Sequence, residues 1–334
     1  MKKTYYLFNP GRLSRKDNTL KFTPVDEDGV VGQARYLPVE NINDLYIFGS
    51  LDANSALYTF LGRNHIAVHF FDYYEHYAGS FMPKEYLLAG KMQIQQTKHY
   101  MAAKKRIVIA RGFVDGAAAN ILKNLQYYKR RGKELSGAIE QIEAYRKDIP
   151  KTTDIPQLMG LEGNVRQVYY KAFDEILNDF NMGNRTKQPP ENEVNTLMSF
   201  GNMMCYATCL GQIYHTQLNP TISFLHEPGY RRFSLALDVA EIFKPLLVDR
   251  TIFSLLNKKQ IKASDFRSEV SRCVLKDSGR KTFIRVYEEK LKETIQHRSL
   301  SKHVSYKHLI KLECYKLSKH LLGMEPYVPF RAWW

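Results

Sequence analysis

Cysteine is scarce in this chain: Cys205, Cys209, Cys273 and Cys314 are the four among 334 residues. No C-x-x-C pair occurs, which removes the usual knuckle of a structural zinc site. Four cysteines in so long a chain make no disulfide framework, and they read as buried thiols in a reducing compartment. Cys205 and Cys209 stand four apart in an apolar run and share one face if that run is helical. No window approaches ~18 unbroken apolar residues, so no transmembrane helix is expected. The opening MKKTYYLFNPGR has a short apolar stretch behind two lysines. Asn9, Pro10 and Gly11 end it before it reaches the length of a signal-peptide core. These absences lead to the expectation of a soluble, cytoplasmic protein with no membrane partner. Internal repeats and low-complexity tracts are also missing.

Acid is in short supply as well. There are 34 aspartates and glutamates against 49 lysines and arginines, a formal net charge of +15. An excess of this size suits a polyanionic partner, because neutralising phosphates releases counterions and drives binding. The plainer alternative is a solvated basic surface, since net charge alone speaks to solubility and non-specific attraction. The cluster KRRGK at Lys129–Lys133 reads equally as a phosphate contact or as a solvated helix end.

What is present is core-forming material: 44% apolar residues and 13% aromatics, with 22 Tyr and 18 Phe. The length suggests two domains. Residues 1–84 carry Gly, Asn and Asp turns between short β-prone runs. Tyr5–Phe8 and Leu20–Phe22 flank a polar turn at Ser14–Asn18 and read as a hairpin. Leu45–Phe48, Ile66–Phe71 and Tyr77–Phe81 read as further strands, Ser55–Leu61 as a short helix, and Asp26–Gly32 as a loop. From residue 85 the period becomes helical. Ala172, Phe173, Ile176, Leu177 and Phe180 recur at helical spacing. So do Val194 to Cys205, Phe283 to Ile295 and Leu309 to Leu321. The fold class expected is α+β by domain: a small β-rich N-terminal domain (1–84), then a larger all-α C-terminal domain (85–334).

Two segments carry candidate chemistry. In GLEGNVRQVYY, Glu162 lies at the start of a helical run, Arg166 is one turn on, and Tyr169 and Tyr170 follow. A carboxylate, a guanidinium and a phenol on one face suit a metal and a phosphate together. Taken alone, the segment reads first as an ordinary i,i+4 ion pair. In SFLHEPGYRRFSLALDVAE, His226 stands at the mouth of a Pro228–Gly229 turn. Arg231 and Arg232 follow, and then a helix with Asp238 and Glu241 near one face. A lone histidine beside a turn is usually structural; this company is less ordinary. One imidazole and two carboxylates suit Mn²⁺ or Mg²⁺, which can activate a nucleophile and neutralise a scissile phosphate. Arginines nearby suit bidentate phosphate contacts. No H-E-x-x-H type motif occurs, so the residues permit a metal site without requiring one.

The order of these segments resembles the CRISPR-associated endonuclease/integrase family, the Cas1 proteins, over nearly the whole chain. The β-rich half is similar to that family's strand domain through RYLPVENINDLYIFG and LGRNHIAVHFFDYYEHYAGSFMP. GLEGNVRQVYY is similar to its G-x-E-G stretch. RTKQPPENEVNTLMSFG resembles its Pro-containing stretch and N-x-L-x-S-F-G helix. FLHEPGYRRFSLALDVAEIFKPLLVDR resembles its His loop and acidic helix, in a form most like type I-B members. The family's C-terminal Y-x-P-F is present at Tyr327–Phe330.

The resemblance implies a metal-dependent integrase. It would insert short double-stranded DNA fragments (spacers) into a CRISPR repeat by attack of DNA 3′-hydroxyls. It would act as a homodimer bridged by the small Cas2 protein, with the N-terminal domain serving dimerisation and partner contacts. Carried over by position, Glu162, His226 and Glu241 match the metal ligands for Mg²⁺ or Mn²⁺. The third ligand is often Asp in relatives. Asp238 matches an acidic position beside the site, and Arg166 and Tyr170 match phosphate or hydroxyl contacts. Two other readings stay open on the residues alone: a stand-alone nuclease hydrolysing branched or single-stranded DNA, and a non-catalytic DNA-binding scaffold. The other nine histidines read as surface or satisfied groups, Asp249 as a cap or a partner of Arg250, and Trp333–Trp334 as a tail or a partner contact.

Overall fold

Alternating burial builds the first part of the chain into strands, and unbroken burial places one of them at a sheet centre. The structure is a computed structural model. It describes every residue except 1, 27, 73–75, 85, 86, 88, 230–232, 270, 271, 298, 299 and 334. The chain divides into two units, Met1–Tyr86 and Leu87–Trp334.

The first unit contains β1 (Lys3–Leu7), β2 (Gly11–Lys16), β3 (Thr19–Pro24), β4 (Arg35–Pro38), β5 (Ile42–Ile47), β6 (Leu51–Asp52), α1 (Ser55–Arg63), β7 (Ala67–Phe71) and β8 (Tyr77–Phe81). One sheet runs β1-β5-β7-β8, the other β4-β3-β2-β6. β5 lies between β1 and β7, parallel to both. It is buried along nearly its whole length, as an inner parallel strand requires. Asn54 caps α1 by accepting from Leu57 N at 3.0 Å. Leu57, Phe60 and Leu61 of α1 pack into a core with Leu13, Leu20, Leu45 and Val68.

The hairpin differs from the sequence expectation. β2 pairs with β3 across a turn at Asp17, which has φ +53°. The Tyr5–Phe8 run instead belongs to β1 and pairs with β5. GRLSRK hid its strand behind three basic residues, because only Gly11 and Leu13 of it are buried.

The second unit contains α2 (Gly90–Met101), α3 (Ala103–Lys129), α4 (Ser136–Asp148), α5 (Ile155–Lys171), α6 (Phe173–Ile176), α7 (Glu193–Tyr214), α8 (Ser234–Lys244), a π-helical turn (Pro245–Asp249), α9 (Arg250–Asn257), β9 (Phe266–Glu269), β10 (Arg272–Leu275), α10 (Asp277–Lys292), β11 (Thr294–Gln296), β12 (His303–Ser305) and α11 (Tyr306–Leu321). It is helical, with two short antiparallel ladders, β9–β10 and β11–β12.

α7 is buried along most of its length, with Ser199, Asn202, Met203 and Tyr206 forming one half-buried stripe. Gly201 lets the π turn approach α7: a Cβ there would stand 2.5 Å from a Val248 methyl. Three boundaries depart from the periodicity. α5 begins seven residues before Glu162, capped by Asp154, which accepts from Gln157 N at 2.9 Å. The helical spacing through 172–180 stops at Ile176. Ile295 lies on β11. All four cysteines are buried and free. Among the described residues no helix is long and apolar enough to cross a membrane.

Candidate functional site

α5 and α8 each present a glutamate to one guanidinium. Arg166, one turn after Glu162 on α5, donates from Nε to Glu162 Oε1 at 2.5 Å. Its NH2 donates to Glu241 Oε2 of α8. Lys244, one turn after Glu241, donates to Glu241 Oε1 at 2.6 Å. Arg166 NH1 also reaches the Tyr170 hydroxyl at 3.3 Å. Four of the six residues singled out in the sequence thus form one hydrogen-bonded cluster. The ordinary ion pair anticipated on α5 exists, but it is half-buried and shared with a second helix.

The electrostatics follow from burial and crowding. Burial raises the Glu162 carboxyl, yet the Arg166 guanidinium, with Lys244 and His226 nearby, holds it net below the usual glutamate value. Burial and the neighbouring Arg166 depress the Lys244 ammonium. Arg185 and Lys187 add to the positive field. Burial depresses the Lys187 ammonium, followed by Arg185, Lys244 and Arg166, while Glu162 opposes them. Arg185 is fixed by donating to Asn195 Oδ1 at 3.0 Å and Ser199 Oγ at 3.1 Å.

His226 and Asp238 form the second half. The Asp238 carboxylate, on the first turns of α8, is fully buried. Its Oδ2 accepts from Phe224 N at 2.7 Å and Leu225 N at 3.0 Å. Its Oδ1 accepts from His226 N at 3.0 Å and pairs with His226 Nδ1 at 2.8 Å. Four contacts occupy both oxygens. The His226 loop is pinned from its other side by Gln96 of α2, which accepts from Asn219 N at 2.7 Å. Arg106 of α3 donates to Phe224 O at 2.8 Å. With Nδ1 engaged by Asp238, Nε2 is the ring nitrogen left for a ligand.

Among the described residues, no group of three or more His, Cys, Asp and Glu side chains is gathered as a ready metal cage. The donor chemistry still fits a divalent cation, because two carboxylates from separate helices already converge on one positive charge. Arg231 and Arg232 lie outside the described residues, as does Trp334. Asp249 stands at the N-cap of α9 but makes no capping bond with its side chain, and Arg250 bonds Asn124. Asp249 is buried, and its pKa is pushed up to about 6 by that burial. Trp333 packs edge-on against Phe330 at 5.7 Å.

Sequence reading passed over Lys244, Arg185 and Lys187. Lys244 had a signal, its one-turn spacing from Glu241. Arg185 and Lys187 had none, because their loop reaches the site only through tertiary packing.

Fold and cluster together define a class: a two-unit α+β protein whose helical unit gathers carboxylates, an imidazole and several cations in one place. The chain belongs to the CRISPR associated protein Cas1 family, whose model matches residues 5–289. It is 45% identical over 340 residues to a CRISPR-associated endonuclease Cas1 of Thermodesulfovibrio yellowstonii, covering 99% of this chain and 100% of that one. Its fold superposes on a CAS1 protein from Thermotoga maritima with a TM-score of 0.86 at 38% identity, covering 98% of this chain and 100% of that chain. A casposase bound to integration product shares the fold with a TM-score of 0.86 at 20% identity, covering 99% of this chain and 93% of that one.

Proposed function

We propose that this protein is a metal-dependent DNA endonuclease and integrase of CRISPR adaptation. In this reading it inserts short double-stranded DNA fragments into the CRISPR array. A fragment's 3′-hydroxyl oxygen forms a new bond to a repeat phosphorus. The bond to the repeat strand's own 3′ oxygen breaks, and that oxygen takes up the proton. The observation that carries the reading is the convergence of Glu162 and Glu241 on the Arg166 guanidinium, in a chain of the Cas1 family.

Glu162, Glu241 and His226 Nε2 would hold Mg²⁺ or Mn²⁺. When bound, the ion supplies charge for the non-bridging oxygens and acidifies the attacking hydroxyl. Asp238 keeps the His226 ring in one tautomer and orientation. Arg166 and Tyr170 contact phosphate or hydroxyl oxygens once Arg166 gives up the carboxylates. Lys187 and Arg185 hold a flanking phosphate. The protein works as a homodimer with a Cas2 protein in the cytoplasm, where the array is, and its β-rich unit makes the dimer and partner contacts. Its subtype is I-B.

Fragments with blocked 3′ ends test the nucleophile. Integration of radiolabelled DNA into a repeat-containing plasmid vanishes, while any hydrolysis persists. Integration at the normal rate from blocked ends sinks the proposal. Hydrolysis without integration from free ends identifies a stand-alone nuclease. Full function in both Glu162→Ala and His226→Ala identifies a scaffold.

A further inference from the structure

Two asparagines one turn apart on α3, Asn120 and Asn124, are fully buried. Each faces the end of α8, where the helix changes to a π turn and Pro245 contributes no N–H. The ladder is interrupted there, and backbone carbonyls need donors from elsewhere. Asn120 Nδ2 donates to Ile242 O at 2.9 Å, and Asn124 Nδ2 donates to Pro245 O at 2.7 Å. Two points of attachment on neighbouring turns fix the rotation of α8 about its own axis. Glu241 is the residue beside Ile242.

Asn124 reaches further. Its Nδ2 also contacts the Tyr169 hydroxyl of α5 at 2.9 Å, and its Oδ1 accepts from Arg250 Nε at 2.6 Å. Tyr169 lies two turns after Glu162 and so on the same stripe of α5. Glu241 lies one turn before Pro245. One side chain therefore ties the helix of Glu162 to the helix of Glu241. Asn120 adds the chain's C-terminal segment to the same clamp, accepting from Ala332 N at 2.8 Å.

We infer that Asn124, supported by Asn120, is a positioning residue for the metal site: it sets the separation of the two glutamates by bonding both helices at once. The inference rests on the ligand assignment proposed above. Partners that orient ligands typically change metal affinity by about 10–100-fold when removed.

The test is calorimetric titration of the full chain with Mn²⁺ in the absence of DNA, beside a thermal melt. Asn124→Ala is expected to weaken Mn²⁺ binding about tenfold. Tyr169→Phe deletes the hydroxyl that links Asn124 to α5, together with that hydroxyl's bond to Asp249, and is expected to weaken it several-fold, which decides the matter if Asn124→Ala does not fold. Leu125→Ala, a buried neighbour on α3 outside the network, is expected to lower the melting temperature while leaving Mn²⁺ affinity unchanged. Equal weakening by Leu125→Ala overturns the inference. Glu162→Ala separates the two layers. If it loses the ion while Asn124→Ala and Tyr169→Phe keep it, the clamp alone is wrong. If it binds Mn²⁺ like the wild type, the ligand assignment fails and the clamp falls with it.

Discussion

The Asp238 carboxylate takes three consecutive backbone N–H groups, from Phe224 to His226, and the His226 ring nitrogen Nδ1 at 2.8 Å. A fully buried carboxylate so engaged shapes a loop and aims an imidazole. Asp238→Asn replaces one acceptor oxygen with an amide that must face an N–H. The expected cost is about 2–4 kcal/mol of stability and a ~10–100-fold drop in integration rate. Denaturant melts with initial-rate assays check both. Wild-type stability in Asp238→Asn contradicts the loop-shaping role.

The glutamates and their arginine respond differently to removal. Glu162→Ala leaves Arg166 paired with Glu241, so the chain stays folded while strand transfer disappears. Arg166→Ala strands the half-buried Glu162 carboxylate and leaves Glu241 to Lys244 alone, and is expected to cost about 1–3 kcal/mol. Circular dichroism melts of the two variants give the order. A Glu162→Ala variant that integrates at the normal rate removes Glu162 from the site.

Binding to DNA is expected to fall steeply with salt, because the chain carries a net charge of +15. Lys187 is exposed beside the cluster, and no acceptor is bonded to it among the described residues. Lys187→Ala is expected to lower the slope of log affinity against log salt by about one. Fluorescence anisotropy across a salt series measures it. Affinity independent of salt overturns the phosphate-contact model.

Stability should depend on pH through Asp249. Burial raises its pKa from 3.8 to about 6 in the folded chain, opposed by Arg166 of α5, the Tyr169 hydroxyl, Lys244 of α8 and Arg185. The folded state therefore holds this proton more tightly than the unfolded state. Between about pH 4 and pH 6 the unfolded chain releases the proton first, so this group's contribution falls as pH rises and is flat above. The swing is on the order of 1–3 kcal/mol. Asp249→Asn is expected to remove it, so the variant gains on the wild type from pH 4 to pH 6 in urea titrations. Parallel pH profiles for the two proteins contradict the assignment.

The division into a β-rich part and a helical part was legible because hydrophobic periodicity is a local property, as in α10 and α11. β2 was not legible, since its outward basic residues mask a strand whose pairing with β3 is what stabilises it. Helix ends at Ile176 and Asp154 were shifted for the same kind of reason: caps and turns override the period.

At the site, the sequence by itself determined which residue types stand on which helix. Glu162 and Arg166 one turn apart, and Asp238 and Glu241 on one stretch of α8, follow from helical geometry alone. It left Asp238 and Glu241 as rivals for one role. Tertiary structure separated them. Asp238 meets the free N–H groups of the His226 loop, while Glu241, one turn on, meets Arg166 and Lys244. It also brought in Arg185, Lys187 and Asn124 from segments remote in sequence. Partners of buried polar groups are set by which helices pack together, and no local pattern encodes that choice.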